Sequence, residues 1–146
     1  MRRGGLIAGI ACLIGAPGNA APPAAPAPGH PILGTWQLFL PGSQCVETYE
    51  YRSDGTGHTL SAAEETFLEY EISATPDERA VFVLVNAIKK SNGQPDCSGH
   101  ITPVGVSVTL YLAPLRGGFL LCFDPGLQRC IGPMRRIGPP QGARAS

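Results

Sequence analysis

The chain has 146 residues, with 11 basic side chains balanced by 11 acidic ones. That balance, with few basic residues at the tail beyond Arg135, Arg136 and Arg144, excludes a phosphate-binding stripe and hence nucleic acid as a partner. No apolar run free of charge or proline reaches the roughly 20 residues of a membrane-spanning helix, so the mature chain is not expected to span a bilayer.

Met1-Arg2-Arg3, the apolar run Leu6 to Ile14 and the small-residue stop Gly18-Asn19-Ala20 predict a signal peptide over residues 1–20. Its removal leaves nine basic against eleven acidic residues. Residues 21–31 are almost all Ala, Pro and Gly and predict an extended spacer that buries nothing. The folded domain is expected over residues 32–137, followed by a flexible tail at 138–146. Cys12 faintly matches a lipoprotein processing site, but Gly9 stands where such sites favour leucine. Cys12 is therefore assigned to the discarded signal peptide, and the protein to the periplasm or the extracellular space.

Four cysteines remain, Cys45, Cys97, Cys122 and Cys130, and an even count in an exported small domain predicts two disulfides out of three connectivities. Cys122 and Cys130 flank the turn residues Asp124-Pro125-Gly126, which would bring them face to face. Cys45 then pairs with Cys97 by elimination.

In chain order, Gly34 to Leu40 alternates with Trp36, Leu38 and Leu40 on one face. Gln44 to Arg52 sets Cys45, Glu47, Tyr49 and Tyr51 together, and Ser53-Asp54-Gly55 predicts a turn. Ser61 to Glu65 fits either one helical turn or the start of the next strand. Thr66 to Ser73 places Leu68, Tyr70 and Ile72 opposite Glu69 and Glu71. Val81 to Val85 is apolar throughout, which suggests cover on both faces. Asn92-Gly93 marks a turn, Gly105 to Leu112 alternates, and Phe119 to Phe123 and Ile131 to Ile137 predict the last strands. The expected fold is all-β: a small antiparallel meander barrel of seven or eight strands, stapled by disulfides.

Gly34-Thr35-Trp36 at the first strand and Arg135-Arg136 in the last resemble the lipocalins and related calycin barrels. In that family a Gly-X-Trp opens the first strand and a late arginine packs across the indole. The resemblance implies a closed barrel with a ligand site in its mouth. Trp36, Tyr49, Tyr51 and Tyr70 are the candidate lining. Alternation also puts Glu47 on the inner face, where Arg135 or Arg136 would pair with it while lying on Trp36.

Signatures of chemistry are sparse. Cys97-Ser98-Gly99-His100 has a metal-like spacing, but a disulfide consumes the thiol, so no metal is expected, and no cofactor. There is no Gly-X-Ser-X-Gly, no Ser-X-X-Lys and no phosphate loop, and no base has an orienting partner, so an enzyme is not the expectation. An acid pair among the many carboxylates stays open. Acids crowd the first half of the domain and bases the second. Either the two sets pair across the sheet, or Glu50, Glu69 and Glu71 form a face that steers a basic partner. The expected function is a non-catalytic binding domain for a small apolar molecule. The alternative is an inhibitor or immunity protein that docks a basic protein through those three glutamates.

Overall fold

The structure, a computed structural model, describes residues 23–138. The predicted signal peptide with Cys12, and the tail beyond Gly138, lie outside the described residues. Among the described residues there is no helix, and the strands are β1 (Pro23–Ala24), β2 (Gly34–Phe39), β3 (Val46–Tyr51), β4 (Thr56–Ser61), β5 (Glu64–Ser73), β6 (Phe82–Ser91), β7 (Ser107–Leu115), β8 (Gly118–Cys122) and β9 (Cys130–Gly138). From β2 onward each strand pairs antiparallel with the next, and β9 returns to β2, closing an eight-stranded meander barrel. Closure leaves no free edge along the seam.

Alternation decides which side chains enter the barrel. Trp36 and Leu38 on β2, Leu68, Tyr70 and Ile72 on β5, and Leu110 and Leu112 on β7 are all buried. The apolar run at β6 is covered on one face only: Phe82 and Leu84 point inward, and Val83 and Val85 are half-buried outside. The ambiguous stretch at Ser61 to Glu65 is a hairpin rather than a helical turn. Ser61 pairs with Glu64 across Ala62-Ala63, and Ala62 takes the positive φ of 53° that so tight a turn requires.

The two ends of the barrel differ. At one end Arg136 lies 4.1 Å from the centroid of the Trp36 ring. Its guanidinium donates to the Leu33 carbonyl at 2.6 Å and the Pro31 carbonyl at 3.1 Å. The Trp36 indole N–H donates to the Ile32 carbonyl at 2.7 Å, and Phe119 meets the indole edge-on. Gly34 has φ 127°, and any Cβ there would run into the Arg136 guanidinium, so a glycine is required beside the stack. At the other end the chain is held covalently, by Cys45–Cys97 and Cys122–Cys130, the pairing that the turn and elimination predict. Cys122 and Cys130 face each other directly across β8 and β9.

The segment expected to be an idle spacer packs on the closed end. Pro23 and Ala24 pair with Ser73 and Ile72 of β5, and Pro26 is buried. His30 is only 5% exposed. Its Nδ1 accepts the Ile32 N–H at 3.2 Å, so the ring proton sits on Nε2, which reaches the Ser73 carbonyl at 3.2 Å. Composition hid this, because a proline-rich strand gains its partners from an edge that exists only once β5 is in place.

Two expectations follow from this arrangement. Burial lowers the His30 pKa below the ordinary imidazole value of 6.5, partly offset by the Ser73 hydrogen bond. The stability His30 contributes is therefore whole above 6.5 and is lost as pH falls through its own lower value. Melting temperatures between about pH 8 and about pH 5 should fall further in the wild type than in His30→Gln. Deleting residues through Gly29 should itself lower the melting temperature by several degrees, measured by circular dichroism. The second expectation concerns the staples: Cys45→Ala/Cys97→Ala opens a loop of 52 residues and should cost about 4 kcal/mol in denaturant unfolding. Cys122→Ala/Cys130→Ala, which opens a loop of 8, should cost about 2.5 kcal/mol.

Candidate functional site

The disulfide-stapled end of the barrel is open, and a cavity of about 230 Å³ runs inward from it. Its two sides have different chemistry. Strands β3, β4 and β5 supply Glu47, Tyr49, Thr59, Ser61, Glu64 and Thr66, while β6 to β9 supply Ile88, Val108, Leu110, Leu121 and Ile131. Asn86 also lines it, and below that level the interior is filled by the aromatic and aliphatic core.

Two carboxyl groups are buried here. Glu47 is 8% exposed and accepts from the Tyr49 hydroxyl and the Ser61 hydroxyl, both at 2.5 Å. Glu64 is 5% exposed and accepts the Thr102 backbone N–H at 2.9 Å. In the ladder Ser61 pairs with Glu47 on one side and with Glu64 on the other, so the pleat turns all three into the barrel. Asp96 stands at the rim. Its burial opposes ionisation, but the Ser98 hydroxyl and the His100 and Ser98 N–H groups hold its carboxyl below the usual range. Burial and the neighbouring Glu47 charge push the Tyr49 phenol far up, so it remains a donor to Glu47.

The connection over residues 92–106 folds across the mouth and is tied down at several points. The Cys97 N–H donates to Ser61, Cys97 is bonded to Cys45, and Asn92 donates to the Ala63 carbonyl. A long connection ordered by such anchors is the usual construction of a binding loop. Exposed Phe39, Ile101, Val104 and Phe123 lie on the connections and strand ends at this same mouth.

Of the four residues expected to line a site in the barrel mouth, Tyr49 lines this cavity, while Trp36 and Tyr70 border separate hollows of about 320 and 370 Å³. Trp36 belongs to the closed end. Tyr51 and Tyr70 stack edge-to-face at 4.9 Å within the core. The Tyr51 hydroxyl accepts from Asn86 at 3.1 Å, and burial pushes its pKa up to about 12 against the pull of that bond. The Tyr70 hydroxyl is spent on the Arg52 carbonyl. The expected pairing of Glu47 with Arg135 or Arg136 does not form. Arg136 does lie on Trp36, but its hydrogens go to Leu33 and Pro31 at the end of the barrel away from Glu47. Arg135 is exposed on the outside, opposite Gln37. Hydroxyl donors on its own strand, from Tyr49, and on the next, from Ser61, bond Glu47 instead.

Glu50, Glu69 and Glu71 all sit on the outer surface, but not as an unopposed acidic face. Glu50 is bonded to Arg52 at 2.5 Å and Glu69 to Lys89 at 2.9 Å, while Glu71 is exposed. The first two are ion pairs made within the sheet, each contributing little. A groove of about 250 Å³ runs between Arg52, Phe67, Glu69 and Lys89, and its charges answer one another.

Thr59, Ser61, Glu64, Thr66 and Asn86 escape a sequence reading because polar residues at alternate positions look like a solvated face. Only the closed barrel shows that this face is turned inward. No helix of the described residues is long and apolar enough to cross a membrane, and the two disulfides fit an oxidising compartment. No protein-family model, curated protein or solved structure matches the chain.

Proposed function

We propose that this chain is an exported, non-catalytic binding protein of lipocalin-like design, which holds a small organic molecule in the open end of its barrel. The observation that carries the reading is the cavity itself. It enters along the barrel axis, its mouth is covalently pinned, and one of its walls is apolar. An apolar cavity of about 150 Å³ is enough for benzene, so about 230 Å³ suits a ligand somewhat larger than one ring. Such concave sites, mostly pre-formed and carrying a few placed polar groups, are where small ligands bind. The stacked Trp36 and Arg136 with Gly34 at the far end support the lipocalin-like reading. Export is supported by the two disulfides and by the signal-like N-terminus.

Nuclear magnetic resonance titration with small apolar fragments, benzene and indole, tests the reading. Saturable shifts should appear at Tyr49, Asn86, Ile88, Leu110 and Leu121. Val108→Trp places bulk at the mouth, on a residue that is already partly exposed, and should weaken fragment binding at least tenfold with the melting temperature unchanged. Shifts confined to the outer strands, or binding indifferent to Val108→Trp, would count against it.

A further inference from the structure

The ligand of a purely greasy cup would need no particular charge, yet this cavity has a marked one. Glu47, Glu64 and Asp96 line it, and among its lining residues there is no lysine, arginine or histidine. A carboxylate offers about four acceptor positions. Glu47 uses two, on Tyr49 and Ser61, and Glu64 uses one, on Thr102. Both groups therefore keep acceptor capacity unfilled, and both line the cavity. Burying carboxyl groups so incompletely paired is costly unless a cation completes them.

Acidic residues alone would not identify an occupant, but Asn86 adds an independent sign. It is 7% exposed, and its amide nitrogen is engaged by the Tyr51 hydroxyl. Its carbonyl oxygen Oδ1 is buried with no hydrogen-bond partner, on a side chain that lines the cavity opposite Val108 in the β6–β7 ladder. A buried amide oxygen left empty is rare and calls for a donor. Hydroxyl donors are present on Thr59, Thr66 and Thr102, but no residue of the lining supplies positive charge.

We infer that the cavity takes an amphipathic organic cation, a primary amine carried on an apolar body of about one ring. This deepens the proposal of a ligand-binding barrel and rests on it. An alkylammonium group has three N–H donors and no acceptor, the complement of Glu47, Glu64 and the Asn86 oxygen. Its apolar body then lies along Ile88, Leu110 and Leu121 on the opposite wall. That wall distinguishes the occupant from an inorganic cation, which would gain nothing from aliphatic side chains. Asp96 at the rim adds the long-range attraction that draws a cation to the mouth.

The experiment is a calorimetric and nuclear magnetic resonance titration at neutral pH with three ligands of one shape: 2-phenylethylamine, 2-phenylethanol and phenylacetate. The amine should bind at least tenfold tighter than the alcohol, and phenylacetate should not bind. Glu64→Gln keeps an amide oxygen for the Thr102 N–H and removes only the charge. Glu47→Gln still exchanges hydrogen bonds with two hydroxyls that can turn to suit it. Each variant should bring the amine-to-alcohol affinity ratio down toward one. Should Glu47→Gln fail to fold, judged by its melting curve, Glu64→Gln decides alone. An amine that binds no tighter than the alcohol overturns the cation preference and leaves the ligand-binding barrel standing. So does a preference that survives unchanged in the folded glutamine variants. If none of the three binds, and benzene and indole fail as well, both readings fall together.

Discussion

The stack of Arg136 on Trp36 is the contact around which the barrel is organised, because it lies on the seam where the first and last barrel strands meet. Trp36 and Arg136 are direct partners in the β2–β9 ladder. Closing an eight-stranded sheet brings residues about a hundred positions apart into register, at an entropic cost that local contacts do not repay. The seam offsets part of it by several interactions made in one place. The guanidinium stacks on the indole, donates to two backbone carbonyls, and sits where Gly34 leaves no Cβ in its way. Those two carbonyls belong to the segment that crosses the end of the barrel. The same arginine thus closes the seam and helps seat the plug.

Once that end is plugged, the apolar side chains condense toward it. Ile32, Tyr51, Ile72, Leu84, Leu112, Phe119 and Met134 are all buried there or just below it. At the opposite end only the wall of β6 to β9 is apolar, and β3 to β5 contribute mainly hydroxyls and two carboxyl groups. That polar wall does not hold itself together by burial. It is held instead by two disulfides and by a side-chain network that reaches from Glu47 through Ser61 to the backbone of Cys97. Stability is thereby separated from binding. The closed end supplies hydrophobic cohesion, and the open end keeps room for a ligand because its rim is cross-linked rather than packed.

This division also bears on the acidic half of the chain. In the linear sequence the glutamates of β3 and β5 form one group, but the pleat sorts them into two. Glu50, Glu69 and Glu71 go outside, where Arg52 and Lys89 answer the first two. Glu47 and Glu64 go inside, where the cavity-lining residues include no basic side chain. The charge that matters for recognition is thus the smaller set, and it is the set least visible as a patch.

By itself the sequence determined the class of fold, the order of most strands, the seam motif and the disulfide pairing. Each of these is written in local terms: alternation of apolar residues, turn residues such as Asp124-Pro125-Gly126, and a glycine two positions before a tryptophan. Strand β4 was not legible, since its inward positions are Gly57, Thr59 and Ser61 and carry no hydrophobic period. The pleat turns position 57 inward, and it is a glycine because Leu68 and the Glu50 carbonyl leave no space for a side chain, a neighbour relation absent from the linear sequence. The strand pairing of Pro23 and Ala24 was hidden for a similar reason. Above all, only the tertiary structure decided which tyrosines face a cavity and which fill the core. Tyr49 and Tyr51 have the same periodicity and the same chemistry, and differ only in depth along the barrel axis. Depth is set by which end is plugged, and that depends on a contact between residues 36 and 136 that no local pattern contains.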